Sequence, residues 1–74
     1  MDQKLASSIA ITVNGEKQEV APDSTVIALL EKLGLHSGRV AIERNLEIFP
    51  RADWSATIIQ PGDRYEIVQF VGGG

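Results

Sequence analysis

The 74-residue sequence contains no cysteine, and its aromatic residues are one Trp, one Tyr and two Phe. The lack of cysteine excludes disulfide bonds, thiolate zinc sites and Cys-ligated iron–sulfur clusters. A chain of this length forms one domain that buries only about 60% of its unfolded surface, so its core has to be built efficiently. At 43% hydrophobic residues, the composition is too apolar for a disordered chain.

Positive charge is also scarce, because seven Lys and Arg face ten Asp and Glu and leave a net charge of −3. The basic residues are scattered, whereas nucleic-acid binding needs a cationic face. We therefore expect no nucleic-acid partner, and an acidic domain more readily meets a basic protein surface. No apolar run approaches the ~20 residues of a membrane helix, and no signal-peptide pattern is seen, so we expect a cytoplasmic protein without membrane association.

Alternating apolar residues predict a strand at the start of the domain. Ile9, Ile11 and Val13 share one face of this strand. Asn14-Gly15 follows and predicts a tight hairpin, since both residues tolerate positive φ. Residues 17–21 form the predicted second strand.

A helical pattern follows the hairpin. Thr25 is a suitable N-cap, and Gly34 stands where a left-handed C-cap is needed. The apolar stripe between them has the i, i+3, i+4, i+7 spacing of one helix face and consists of Val26, Leu29, Leu30 and Leu33. The helix is short, so packing on a sheet has to hold it.

Three further strands are predicted, over residues 40–42, 48–49 and 65–71. A turn at Asn45-Leu46 joins the first two, although Leu is poorly suited to positive φ. Trp54 is predicted to be a core or half-buried packing residue in an irregular or one-turn segment. The last strand alternates, with Tyr65, Ile67 and Gln69 on one side and Glu66, Val68 and Phe70 on the other.

The order strand, strand, helix, strand, strand, strand predicts an α+β fold of the β-grasp type. A mixed sheet of four to five strands carries one main helix on one face, and the last strand lies beside the first in the middle of the sheet. We predict a flexible N-terminal extension over residues 1–8, the β-grasp domain over residues 9–71 and a flexible glycine tail over residues 72–74.

No constellation of catalytic or metal-ligating side chains stands out. His36 is the single histidine and is predicted to be a solvated turn residue, without a partner for nucleophilic catalysis. The carboxylates are interpreted as solvated surface charge: Glu16, Glu19, Asp23, Glu31, Glu43, Glu47, Asp53, Asp63 and Glu66. We predict no catalytic residue and no metal site, so the chain is not expected to be an enzyme.

The terminal Val71-Gly72-Gly73-Gly74 segment is the feature most suggestive of chemistry. Glycine has no Cβ, so such a tail can enter a narrow channel and present an unhindered carboxylate at Gly74. Four extended residues reach roughly 13 Å, enough to enter a partner while the domain docks outside. ATP could activate the carboxylate as an acyl-adenylate, with the partner supplying the catalytic groups. A frayed end or linker is the alternative.

Several segments resemble the sulfur carrier proteins of thiamin biosynthesis, the ThiS family, which has a ubiquitin-like β-grasp fold. The Asn-Gly hairpin is common, but the PRxxW segment, the GDR turn and the VGGG terminus in this order are specific. The resemblance spans about residues 9–74 and is carried by residues 11–16 (ITVNGE), 25–26 (TV), 29–35 (LLEKLGL), 40–45 (VAIERN), 50–54 (PRADW), 62–64 (GDR) and the terminal glycines.

The resemblance implies a function for the tail. An adenylyltransferase related to ubiquitin-activating enzymes adenylates the Gly74 carboxylate with Mg-ATP, and the chain itself binds no cofactor. Sulfur from cysteine, delivered through a desulfurase relay, converts the carboxylate to a thiocarboxylate, and thiazole synthase takes the sulfur. Gly73 and Gly74 are the functional pair, with Gly72 and Val71 completing the tail.

The sequence departs from the family pattern at Leu46, where glycine is usual, and in the extension over residues 1–8. Two alternatives stay open: the small subunit of molybdopterin synthase, which shares fold and thiocarboxylate, and a noncatalytic β-grasp binding module. We also expect Val68 and Phe70 to be exposed beside the tail as a partner-docking patch, with ordinary sheet packing as the alternative.

Overall fold

The computed structural model describes residues 8–70 and contains a five-stranded sheet with one α-helix. Two 3₁₀ helices, Ser37–Arg39 and Arg51–Asp53, lie in the connections. The other elements are β1 (Ile9–Val13), β2 (Glu16–Val20), α1 (Val26–Leu33), β3 (Val40–Arg44), β4 (Glu47–Ile48) and β5 (Arg64–Gln69).

The first hairpin forms at the predicted dipeptide. Asn14 and Gly15 have φ angles of 51° and 84°, and the two-residue turn pairs Val13 directly with Glu16. Strand β2 therefore begins at Glu16 and ends at Val20, one residue earlier at each end than predicted. The tight turn sets this register, because its length leaves no residue between the turn and the first pair.

Helix α1 has the predicted boundaries and caps. The Thr25 hydroxyl accepts a hydrogen bond from the backbone N–H of Ala28, at 3.1 Å. Gly34 adopts the left-handed conformation at φ 75°, and the N–H of Leu35 donates to the Leu30 carbonyl at 2.9 Å. These bonds satisfy backbone groups that a helix leaves unpaired at its ends.

The strand order β2-β1-β5-β3-β4 confirms the β-grasp prediction. Strand β5 lies at the centre, parallel to β1 and antiparallel to β3. The helix between β2 and β3 supplies the connection that a parallel pair of strands requires. Because β5 has neighbours on both sides, its backbone is held along both edges.

The core lies between α1 and the facing side of the sheet. Trp54 is only 2% exposed, as predicted, and its indole N–H donates to the Phe49 carbonyl at 3.0 Å. The buried apolar side chains are Ile11, Val13, Val20, Val26, Leu29, Leu30, Val40, Ile42, Trp54, Ile59, Tyr65 and Ile67. The apolar faces predicted for β1, α1 and β5 therefore meet in one cluster.

The second hairpin forms in spite of its unfavourable sequence. Asn45 and Leu46 both have positive φ, at 52° and 74°. The left-handed conformation costs a residue with a Cβ roughly 1–2 kcal/mol. Strand β3 extends two residues beyond the predicted 40–42, and β4 lies one residue before the predicted 48–49.

The last strand ends earlier than predicted. It stops at Gln69, and Phe70 follows it with a single backbone bond, because β3 begins at Val40 and has no further residue to pair. Val71 and the predicted glycine tail at 72–74 lie outside the described residues, as do residues 1–7 of the predicted extension. Ser8 is described, and its hydroxyl donates to a carboxylate oxygen of Glu19 at 2.8 Å.

Candidate functional site at the end of the central strand

The candidate site begins where β5 ends. Gln69 is paired with Val40, and the N–H of Phe70 donates to the Arg39 carbonyl at 2.7 Å. The backbone is thus hydrogen-bonded up to the residue before Val71. The four residues of interest, Val71 to Gly74, follow this anchored point and lie outside the described residues.

Asn14 holds β5 from the opposite side. Its side-chain oxygen accepts from the Ile67 N–H at 2.8 Å, and its side-chain N–H donates to the Ile67 carbonyl at 3.2 Å. The sequence predicted only a turn role for Asn14. Its contact with Ile67 joins residues that are 53 positions apart in the chain, and the parallel pairing of β1 and β5 brings them together.

Asp63 corrects a prediction, because its carboxylate is buried and not solvated. The residue is 6% exposed. Its Oδ2 accepts from the Gln60 N–H and the Tyr65 hydroxyl, each at 2.9 Å, and from Arg44 Nε at 3.3 Å. Its Oδ1 accepts from the Asn45 side chain at 3.2 Å. The GDR turn was noticed in the sequence, but nothing local predicted that its carboxylate turns inward.

The groups around Asp63 determine the pKa of its carboxyl group and thus its ionisation state. Burial opposes ionisation, but the hydrogen bonds from Gln60, Asn45 and Tyr65 and the charge of Arg44 outweigh it and hold the pKa of Asp63 below its ordinary value. Burial, followed by the hydrogen bond to Asp63 and its negative charge, raises the pKa of Tyr65. The cluster therefore joins an ionised carboxylate to a protonated phenol, an arrangement that stabilises the turn before β5.

Apolar side chains cover the sheet face opposite α1, here called the outer face. Val68 is 61% and Phe70 52% exposed, which confirms their predicted exposure; their docking role stays a prediction. Leu46 and Ile48, which the sequence did not single out for this face, are 71% and 82% exposed. Exposed apolar residues grouped in this way are typical of protein-binding surfaces.

His36 lies in an exposed turn, as predicted. Its Nδ1 accepts a hydrogen bond from the Gly38 N–H at 3.0 Å and caps the 3₁₀ helix Ser37–Arg39. That helix ends at the Arg39 carbonyl, which anchors Phe70. Within residues 8–70, no group of three His, Asp or Glu side chains could hold a metal ion, and no helix is long and apolar enough to cross a bilayer.

The topology defines the class of protein as a ubiquitin-like β-grasp domain. A solved designed protein based on a ubiquitin template shares the fold, with a TM-score of 0.53 and 20% identity over 92% of this chain and 96% of its own. The ThiS family model matches residues 9–74. The chain belongs to the ThiS family.

Relatives agree with this assignment. The sulfur carrier protein ThiS of Escherichia coli is 34% identical over 64 residues, which cover 86% of this chain and 97% of the relative. A crystal structure of a thiamine biosynthesis protein (ThiS) from Geobacter metallireducens is similar with a TM-score of 0.75 and 35% identity, covering 89% of this chain and all of the other.

A longer protein also contains a similar segment. The thiazole synthase of Paramagnetospirillum magneticum is 45% identical over 64 residues, which cover 86% of this chain and 20% of that protein. The chain thus spans about a fifth of the length of this relative.

Proposed function

We propose that this chain is a sulfur carrier of thiamin biosynthesis whose reactive group is the Gly74 carboxylate. The strongest support is the ThiS family match, which runs from residue 9 to residue 74 and so includes the glycine tail. The anchoring of Phe70 to Arg39 supports it as well, because the tail then starts from a defined point on the domain.

The chemistry needs an activating partner, because a carboxylate is anionic and has no good leaving group. An adenylyltransferase transfers AMP from Mg-ATP to the Gly74 carboxylate and releases pyrophosphate. The terminal sulfur of a persulfide, drawn from cysteine through a desulfurase relay, attacks the acyl-adenylate and displaces AMP to form an acyl disulfide. A thiol then cleaves the S–S bond, which leaves a thiocarboxylate on Gly74 and a disulfide on the sulfur donor. Thiazole synthase then takes the sulfur. The carrier contributes an unhindered acyl group, and its partners contribute positioning and electrostatics.

We further propose that Val68 and Phe70 form the docking patch next to the tail. Both side chains are exposed on the outer face, and both belong to the last residues before Val71. A partner that covers this patch would find the tail within reach of a catalytic centre, since four extended residues span roughly 13 Å. Apolar side chains at the centre of an interface commonly dominate its binding energy.

Intact-mass spectrometry tests the tail. The full chain, incubated with the adenylyltransferase, Mg-ATP and a sulfur source, should gain the mass difference between sulfur and oxygen. A chain lacking Gly74, and one with Gly73→Trp, should gain nothing while melting at the same temperature as the parent. A chain lacking residues 1–7 is the matched control and should still gain mass. Equal gain in the chain lacking Gly74 would refute the assignment.

Partner choice separates this function from the molybdopterin synthase alternative. Co-purification of the full chain with thiazole synthase is expected. Retention by the large subunit of molybdopterin synthase, without retention by thiazole synthase, would contradict the thiamin assignment. Full biological activity of a chain without its glycine tail would instead favour a noncatalytic binding module.

A further inference from the structure

The outer face carries a groove that the tail chemistry does not require. The groove has a volume of about 610 Å³ and lies between β5 and the hairpin of β3 and β4. Its lining includes the exposed apolar side chains Leu46, Ile48 and Val68, together with Ala41, Ile42 and the polar residues Glu43 and Glu66. Only Val68 is shared with the docking patch proposed above, so the groove extends that patch away from the tail.

Leu46 lies in this groove at an energetic disadvantage. Its φ of 74° favours glycine, yet the position holds a side chain that is 71% exposed. Burial in the folded chain therefore does little to offset the strained backbone. Strain of this kind persists where another requirement selects the side chain. A partner that covers Leu46 would supply that requirement.

Glu43 and Glu66 form a second unfavourable arrangement in the same groove. They are directly opposite each other in the antiparallel register of β3 and β5, where like charges are destabilising. The Arg64 Nε lies 4.0 Å from a carboxylate oxygen of Glu66, and Glu43 has no ion pair within residues 8–70. The apolar lining of the groove therefore surrounds an excess of negative charge.

We propose that this groove docks a basic side chain, preferably an arginine, that the partner presents between apolar side chains. A guanidinium can bridge two neighbouring carboxylates with its fork of N–H donors, and it is more weakly hydrated than an ammonium. Leu46, Ile48 and Val68 would cover the flanking apolar contacts. The partner would thus relieve the repulsion between Glu43 and Glu66 and bury Leu46.

The occupant that we assign is thiazole synthase, an assignment that rests on the proposed function. A segment like this chain occurs within a protein named thiazole synthase at 45% identity, compared with 34% for the E. coli carrier. The groove adjoins Val68 of the docking patch, so a synthase that receives the tail could cover both surfaces at once.

Binding and melting measurements with two sets of variants test the groove. Leu46→Gly should weaken binding of the full chain to the thiazole synthase of the same organism about tenfold, while melting at the same or a higher temperature. Glu43→Gln with Glu66→Gln should weaken binding by a similar factor, about tenfold, and reduce its dependence on ionic strength, again without lowering the melting temperature. Glu16→Gln with Glu31→Gln, at two exposed positions that do not line the groove, is the charge-matched control and should bind like the parent.

The outcomes divide cleanly. Unchanged synthase affinity in both sets of variants would overturn the groove as a docking site. Weaker binding to the adenylyltransferase but not to the synthase would overturn the assigned occupant. A loss of melting temperature parallel to the loss of affinity would make Leu46 a folding residue and overturn its role. Intact-mass spectrometry measures sulfur loading of the tail in a separate experiment. Absence of a mass gain in the full chain would refute the proposed function, and the binding measurements would still report on the groove.

Discussion

The two faces of the β-sheet are built from the same strands but differ in what their apolar side chains do. On the helix side, Tyr65 and Ile67 of β5 are buried in the core. On the outer face, Val68 of the same strand and the adjacent Phe70 are more than half exposed. The period-2 geometry of a strand separates the two sets. Side chains of the outer face can therefore be replaced without removing atoms from the core.

The two ends of β5 differ in a similar way. At its start, Asp63 and its hydrogen-bond partners hold the turn in a buried polar cluster. At its end, one backbone bond joins Phe70 to Arg39, and the glycine tail follows. Polar side chains therefore hold the start of the central strand, whereas backbone hydrogen bonds to β3 and Arg39 hold its end.

Truncation of a core side chain should have the largest effect on stability and should distinguish the two faces of the sheet. Leu30→Ala removes a buried helix residue and is expected to lower the free energy of unfolding by about 3 kcal/mol. Val68→Ala, on the outer face, is the control and should change it by less than about 0.5 kcal/mol. Urea denaturation of both variants measures the difference. Equal losses would show that the outer face belongs to the folding core.

Replacement of the buried carboxylate should have the next largest effect. Asp63→Asn keeps the size of the side chain but leaves the charge of Arg44 without its partner, and we expect a loss of about 2 kcal/mol at neutral pH. Asp23→Asn, at an exposed turn position, is the control and should lose much less.

The pH dependence of this loss has a defined sign. Because folding lowers the pKa of Asp63, its contribution is complete above the unfolded value of about 3.9 and disappears as the pH falls through the folded pKa. The difference between the parent and Asp63→Asn should therefore shrink between pH 5 and strongly acidic solution, roughly pH 2. Denaturant titrations across that pH range measure the difference in unfolding free energy between the two proteins. A difference that stays constant would contradict an ionised Asp63 in the folded chain.

Asn14→Asp tests how much the side chain of Asn14 contributes to holding β5. Aspartate tolerates the positive φ of the turn and keeps an acceptor for the Ile67 N–H, but it cannot donate to the Ile67 carbonyl. We expect a loss of about 1 kcal/mol, measured by thermal or urea unfolding. Asn14→Gly retains the turn but loses both bonds, and a smaller loss in that variant would contradict the role given to the side chain.

Phe70→Ala should have the smallest effect on stability and a clear effect on binding. The side chain is half exposed, so the free energy of unfolding should fall by less than about 0.5 kcal/mol. Partner affinity should fall about tenfold if Phe70 is an interface anchor. Melting curves and titration calorimetry with thiazole synthase measure the two quantities. A large stability loss with unchanged affinity would assign Phe70 to ordinary sheet packing.

Much of the fold follows from local patterns. The alternation of Ile9, Ile11 and Val13, the Asn14-Gly15 turn and the capped stripe of α1 each specify their element through nearby residues. Predictions were less accurate at strand ends, where pairing partners decide the length. Strand β3 extends to Arg44 because β5 pairs with it that far.

Residue types and short spacings are enough to predict the β-grasp order, the separation of apolar residues onto two faces of β5 and the glycine-rich segment that follows. The folded chain was needed to show that Asp63 is buried, since Arg44 and Asn45 reach it from 19 and 18 positions away. It also shows that Glu43 and Glu66 are directly opposite each other on neighbouring strands and that the Asn14 side chain is hydrogen-bonded to Ile67. Such contacts depend on strand register, which arises from the packing of the whole sheet and not from any one segment.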